Sequence, residues 1–466
     1  MSTLTIFNSA SGQADAPSGS AAARATAPND SAATQADALI GSAAAQAAGV
    51  PIQSAAARRA EPKIPAVLGS DLEVPVRGGR LVQYANLDYA ASAPCLEPVS
   101  AAVTAALPAY SSVHRGAGYA SQLTTARYEQ ARHTVRAFAG ARPDDAVIFT
   151  RNTTDSTNLL ARALPKGTTV VAFDSEHHAS LLPWDRVVRL TPPAFPGEAV
   201  RAVDAALAEI DGPALLVVTA ASNVTGELWP IAALAHIAHR HGARILVDAA
   251  QLVPHRQLNL TALDLDYVAF SGHKLYAPFG AGVLIGRRDW LESADPYLKG
   301  GGAVRSVGAT ESEWHEDAEP RHEAGTPNVL GALAIAAACD ALTSTGWTAL
   351  VDEEERLISR LRDGLATIPG VRELSLWGPD HPRVGIVSFV VEGRFSRDVA
   401  EYLSGDHGIG VRDGKFCAHP FLRHLLGESD GGCEDGTASA VRASIGIGTT
   451  DEHIDRLLTA LRTLTA

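Results

Sequence analysis

Chemistry-bearing residues stand where three buried strands are expected to end. The run Arg244-Ile245-Leu246-Val247 is followed by Asp248-Ala249-Ala250-Gln251, an acid leaving an apolar strand. A carboxylate in that setting needs a cation or hydrogen-bond donors beside it, because an unpaired buried charge is costly. Phe270 is followed by Ser271-Gly272-His273-Lys274. A lysine in surroundings of low dielectric loses pKa and becomes an amine able to condense with a carbonyl. After Phe149 the chain reads Asn152-Thr153-Thr154-Asp155-Ser156, small hydroxyl residues opening a helix. The unpaired N–H groups and positive dipole end of such a helix suit a phosphate. Ordinary N-capping by Ser or Thr is the plainer reading of the same residues.

An acid, a lysine and a phosphate cradle on one sheet edge together describe a site for pyridoxal 5'-phosphate. The acid keeps the pyridine nitrogen protonated, the lysine holds the aldehyde carbon as a Schiff base, and the helix end holds the phosphate. The elements that must position them alternate in type. Short β-branched or apolar runs at 146–150, 169–173, 214–219, 244–248, 267–270 and 282–285 read as strands buried on both faces. Helical patterns at 155–163 and 231–241 lie between them, so a mostly parallel sheet covered by helices is expected. The apolar stretch 331–342 reads as a long helix joining two domains. Beyond it, strands at 384–391 and 440–445 and helices at 352–367 and 451–464 describe a smaller α/β unit.

The expected organisation is therefore an extension over 1–58, a large cofactor-binding domain over 59–335 and a small domain over 336–466. Segment 59–90 of the large domain is a candidate to pack on the small one. The extension is mostly Ala, Ser, Thr, Gln and Gly, with no aromatic residue after Phe7, so it lacks the means to bury a core. It is read as disordered. Across 466 residues, 39 Lys and Arg against 52 Asp and Glu give a formal charge of −13, which argues against a nucleic-acid grip. No apolar run of membrane-spanning length is present, and four cysteines make no disulfide framework. The expectation is a cytoplasmic enzyme with free thiols.

The segments 86–92 (NLDYAAS), 113–116 (VHRG), 176–179 (EHHA), 222–226 (SNVTG), 247–251 (VDAAQ), 271–274 (SGHK) and 323–328 (EAGTPN) resemble class V pyridoxal-phosphate enzymes. The resemblance is nearest to the cysteine desulfurase and selenocysteine lyase branch and runs from about Leu87 to the C-terminus. It implies the fold-type I transferase architecture and a homodimer. By the same resemblance Lys274 is the Schiff-base lysine and proton shuttle, Asp248 pairs with the ring nitrogen, and Gln251 and Asn223 address the ring hydroxyl. His177 stacks on the ring and exchanges protons. Thr153, Thr154, Ser271 and His273 hold the phosphate, and Thr326 reaches the phosphate of the neighbouring protomer. His114 and Arg115 line the substrate mouth. Cys417, in the segment 411–418 (VRDGKFCA), resembles the desulfurase nucleophile, with Arg442 and Arg412 taking the substrate carboxylate.

That reading implies removal of sulfur from L-cysteine, or selenium from selenocysteine, giving alanine and a persulfide on Cys417, with a sulfur-accepting protein as partner. A cation such as Lys415 or Arg412 beside the thiol favours attack. The alternative is a class V aminotransferase, epimerase or C–S lyase of secondary metabolism that uses no persulfide, since one scaffold hosts many chemistries. A catalytically silent binding protein fits poorly with an intact Lys274, Asp248 and His177. The chain departs from the desulfurase pattern before Cys417, where Lys415-Phe416 stand in place of the usual histidine, with His419 after it. A polar insert at 427–437 carrying Cys433 is a second departure. These bear on substrate and acceptor, not on cofactor. Cys339 reads as core filler, Cys95 has no assigned role, and Cys433 reads as an incidental thiol. His236, His239 and His241 read as helix-face residues, so no metal site is expected. Gly300-Gly301-Gly302 reads as a turn near a dimer interface, not a nucleotide loop.

Overall fold

The structure, a computed structural model, describes residues 64–427 and 438–466. The expected extension at 1–58, almost all of the 427–437 insert and Cys433 lie outside the described residues. The chain enters through a hairpin of β1 (Glu73–Pro75) and β2 (Leu81–Gln83), then β3 (Ala85–Asn86).

A seven-stranded sheet follows. It is built from β4 (Ala146–Thr150), β5 (Thr169–Phe173), β6 (Val187–Leu190), β7 (Ala214–Thr219), β8 (Arg244–Asp248), β9 (Tyr267–Ser271) and β10 (Gly282–Gly286). Their order across the sheet is β4-β10-β9-β8-β7-β5-β6. Only β10 runs antiparallel to its neighbours, with Gly282 opposite both Thr150 and Ser271. The central strands β7, β9 and β10 are buried at every position, which is why their sequences are continuous apolar runs. Each fully buried Leu, Ile or Phe contributes on the order of 1.5–3 kcal/mol of transfer free energy. Every parallel strand delivers its carboxyl end to one edge, which thereby gathers Thr150, Phe173, Thr219, Asp248 and Ser271. At that edge β10 must be glycine: a Cβ on Gly282 would meet the Asn152 backbone at 2.5 Å.

Helices Thr153–Ala163 and Ile231–Arg240 are close to the expected spans, and the long apolar helix runs Val329–Thr345. Beyond a hairpin of β11 (Val304–Val307) and β12 (Ser312–Trp314), a second sheet forms from β13 (Val371–Leu374), β14 (Ile386–Val391), β16 (Arg412–Gly414) and β17 (Ala440–Ser444). Its order is β13-β14-β17-β16, antiparallel throughout. Helices Trp347–Ala366, Ser396–His407 and Asp451–Thr465 bury one face in the core that this sheet shares, which includes Leu361, Phe389, Leu403 and Leu457. The early segment joins this half of the chain: β3 pairs in parallel with β15 (Ile409–Gly410). Among the described residues, no single helix is long and apolar enough to cross a membrane.

Candidate active site

The sheet edge brings Lys274, Asp248, His177, Thr153 and Ser271 to one place, and the second sheet adds Arg442 and Cys417. Lys274 follows β9 in a tight turn, its backbone N–H reaching Ser271 O at 3.3 Å. Gly272 permits that turn, because a Cβ there would sit 2.8 Å from Ile335 and 3.0 Å from two carbonyl oxygens. The Lys274 ammonium has no hydrogen bond or ion pair among the described residues. Burial lowers its pKa; Asp248 and Cys417 oppose the shift, while Arg442 adds to it.

Asp248, the last residue of β8, is 5% exposed. Ser180 Oγ donates to its Oδ2 at 2.8 Å, and the Ala250 N–H donates to Oδ1 at 3.0 Å. Sequence reasoning missed Ser180, although its spacing of three after His177 is what carries it beneath the acid. His177 caps the short helix His178–Leu181, with Nδ1 accepting from Ala179 N at 3.0 Å. Burial, reinforced by the Lys274 charge, lowers its pKa to about 4, so the ring is neutral at pH 7. Glu176, immediately before it, is fully buried, and neither carboxyl oxygen finds a well-formed hydrogen bond. Desolvation raises its pKa well above the ordinary carboxylate range; the Thr219 backbone opposes this only in part.

Thr153 and Ser271 meet at the first turn of helix Thr153–Ala163, hydroxyl to hydroxyl at 2.7 Å, and Thr153 N donates to Ser271 Oγ at 2.8 Å. Asn152 is the N-cap, accepting from Asp155 N, while Thr154 is exposed on the same turn. The segment is an ordinarily capped helix whose positive end is also lined by hydroxyls. His273 is half-buried, and its carbonyl holds the Ala93 N–H at 2.8 Å. Gln251 donates Nε2 to Ala90 O at 2.8 Å, whereas its buried Oε1 has no partner. A buried acceptor without a donor, a lysine amine without a partner and a hydroxyl-lined helix end fit a phosphorylated aromatic aldehyde bearing a ring hydroxyl.

The turn carrying Cys417 is strained. Phe416 and Cys417 both lie in the left-handed region, at φ 52° and 54°. Each such residue costs of order 1–3 kcal/mol, held by its surroundings. Here Asn223 Nδ2 donates to Phe416 O at 2.7 Å, and His178 N donates to Cys417 O at 2.8 Å. Phe416 is buried among Val224, Leu374, Phe421 and Leu422, with the Arg442 guanidinium 5.1 Å from its ring centroid. Cys417 is exposed and interacts electrostatically with Lys274 and Arg442, acting to raise the pKa of each. The cations that interact with the thiol thus include two the sequence did not single out for that part. Lys415 lies in the same turn and Arg412 is exposed on β16. His419 packs edge-on against His178 at 4.5 Å between centroids.

Arg442 is 4% exposed on β17, opposite Arg412 on β16. Its NH1 donates to Asn223 O at 2.9 Å and its NH2 to Asp88 Oδ1 at 3.2 Å. Burial lowers its pKa, against the pull of Asp88.

His114, Arg115 and Thr326 lie in a second cluster. His114, at φ 64°, bonds Glu129 at 2.8 Å. Arg115 reaches Gly325 O at 3.3 Å and lies so close over Gly302 that a Cβ there would collide with its guanidinium. Gly325 N also donates to Gly301 O at 2.7 Å, so the glycine turn and the Thr326 loop form one unit, with Thr326 exposed. Beneath it the buried pair Arg132–Glu323 also holds the Tyr128 hydroxyl and the Phe149 N–H.

A fold of this topology, with an acid and a lysine at adjacent strand ends, defines a class. The aminotransferase class-V family model matches residues 85–457, and the chain belongs to that family. It is 35% identical over 364 residues to the cysteine desulfurase of Dickeya dadantii (strain 3937), covering 76% of this chain and 84% of the relative. It is 36% identical over 362 residues to the probable cysteine desulfurase of Halalkalibacterium halodurans, covering 75% and 85%. Among solved structures, the apo cysteine desulfurase of Thermococcus onnurineus NA1 superposes with a TM-score of 0.73 at 31% identity, over 82% of this chain and 94% of that one. An Escherichia coli cysteine desulfurase in an S-sulfonic acid form gives 0.69 at 32%, over 82% and 96%.

Proposed function

We propose that the chain is a pyridoxal-phosphate-dependent cysteine desulfurase, converting L-cysteine to alanine and leaving the sulfur as a persulfide on Cys417. The observation that carries this reading is the exposed Cys417, fixed in a strained turn and interacting electrostatically with both Lys274 and Arg442. An aminotransferase needs no such thiol.

Lys274, Asp248, His177, Gln251 and the Thr153–Ser271 helix end would hold the cofactor, with Asn223, Thr154 and His273 bordering it. When bound, the cofactor supplies an electron sink for the bonds broken at the substrate's α- and β-carbons. Arg442 binds the substrate carboxylate, and Arg412 adds positive potential at the mouth. Lys274, with its pKa lowered by burial, takes the α-proton on Nζ and returns it. His177, neutral at pH 7, offers Nε2 as a second proton carrier, because its Nδ1 is held by the Ala179 N–H. The Cys417 thiolate attacks the substrate sulfur. An S–S bond forms, the C–S bond breaks with its electron pair going to carbon, and that carbon takes a proton to become the methyl of alanine.

Thr326 serves the phosphate of a second copy in a homodimer, and His114 and Arg115, the latter tied to the Thr326 loop through Gly325, line a substrate mouth. The persulfide is handed to a sulfur-accepting partner at the exposed turn. The free thiols of Cys95, Cys339 and Cys417 suit a reducing cytoplasm. The test is turnover of L-cysteine with reductant, quantifying alanine, sulfide and pyruvate. Equimolar alanine and sulfide are expected. Sulfide with pyruvate and ammonia in place of alanine would replace this reading with a C–S lyase.

A further inference from the structure

Arg442 is already occupied by a carboxylate of its own chain. Its NH2 donates to Asp88 Oδ1 at 3.2 Å and its NH1 to Asn223 O, while its buried Nε has no partner. Asp88 is fixed from both sides. Its backbone N–H bonds Asn86 Oδ1 at 3.1 Å, and the Leu87 carbonyl and Ala90 N–H on either side are tied to Ser444, two residues beyond Arg442. The side chains are 4% exposed for Arg442 and 23% for Asp88, so the acid forms the solvent-facing side of the pair. A guanidinium captures a carboxylate best through two parallel N–H groups. On Arg442 the edge formed by Nε and NH2 has one donor without a partner and one donor taken by Asp88.

We propose that Asp88 is a resident counter-ion that stands in for the substrate's carboxylate on Arg442, is displaced when substrate binds, and so sets substrate affinity. The inference rests on the desulfurase reading for the identity of the substrate. It does not need that reading for the competition between carboxylates. Without Asp88 the buried Arg442 charge would lack an anion whenever the site is empty, which is costly. With it, part of each substrate's binding free energy goes into releasing Asp88. Arg412, opposite Arg442 across the β16–β17 pairing, acts electrostatically on both and offers Asp88 a cation when it leaves.

Asp88→Asn keeps the shape and the Oδ1 acceptor but removes the charge. In the holoenzyme, calorimetric titration with propionate and with L-alanine is expected to show binding about fivefold tighter or more, the difference between a charge-assisted hydrogen bond and the neutral one that asparagine keeps. Ethylamine, which has no carboxylate, should bind both forms alike. The KM for L-cysteine should fall by a similar factor, with kcat changing less. Unchanged or weaker propionate binding, or an equal effect on ethylamine, overturns the proposal. Absence of alanine from cysteine in both forms would sink the desulfurase reading while leaving the propionate result standing. A wild-type structure with propionate bound is the independent check. Asp88 should have left Arg442; a retained Asp88–Arg442 bond beside the bound carboxylate overturns the proposal without any variant.

Discussion

The backbone N–H of His178 donates to the carbonyl of Cys417 at 2.8 Å, joining two residues 239 positions apart. His178 opens the helix that His177 caps, so the His177 segment and the turn bearing Cys417 are one mechanical unit. Asn223 makes the second tie, to the carbonyl of Phe416. The position of Cys417 is therefore set from the His177 segment and Asn223, and the strain at two successive left-handed residues is stored there.

Phe416 is the anchor of that turn. Phe416→Ala removes a buried ring from its apolar cluster and from the face of Arg442, a loss of roughly 3–5 kcal/mol for a phenyl group. The variant should keep the cofactor's visible absorbance, lose most alanine production and let iodoacetamide label Cys417 faster. Wild-type labelling and turnover rates would refute the anchoring role.

Lys274→Ala should abolish the visible absorbance of bound cofactor that borohydride fixes covalently to the chain. Its turn delivers the amine to the sheet edge, beside Asp248 and His177. Tryptic mapping after borohydride treatment reads the outcome: cofactor attached at another lysine in the variant would reassign the site.

The large sheet was legible because strands buried on both faces read as continuous apolar runs whatever their partners are. The strand-end positions of Asp248 and Lys274 followed from the same runs. Strand direction did not, since the Gly282–Gly286 sequence would look alike parallel or antiparallel. The edge strand Val187–Leu190, largely solvent-facing, carries no such pattern and was missed. Nor does composition disclose a pairing such as Asp88 with Arg442, 354 residues apart, or left-handed backbone at Phe416 and Cys417. Those arise only when two sheets pack and their bonds over-determine a turn.

Glu176→Gln tests the buried acid beneath His177. Its pKa is raised in the folded state, so the acid favours folding fully only below the unfolded carboxylate pKa. That contribution is lost as pH rises through the raised folded value. Each unit of elevation corresponds to about 1.4 kcal/mol. The neutral glutamine escapes this penalty. Near pH 4 the two proteins should melt alike, and the variant should become progressively the more stable as pH rises toward 8. A wild type that stays equally stable across that range would mean Glu176 ionises normally, with a donor found on binding cofactor.

Cys417→Ser separates the two halves of the chemistry. Lys274, Asp248 and His177, the residues proposed to hold the cofactor, are untouched by the change, and serine is nearly the same size as cysteine, so absorbance, cofactor affinity and melting temperature should be unchanged. Serine has no accessible anion at neutral pH, so attack on the substrate sulfur is lost. The turn itself should persist, because its ties run through the backbone carbonyls of Phe416 and Cys417 and not through the side chain. L-cysteine is the required substrate, since the better selenium leaving group can depart without a thiolate. Alanine release over several turnovers should fall at least a hundredfold, while cysteine still perturbs the cofactor spectrum. Full alanine output from this variant would remove Cys417 from the mechanism and leave only the ring chemistry, as in an aminotransferase or a C–S lyase.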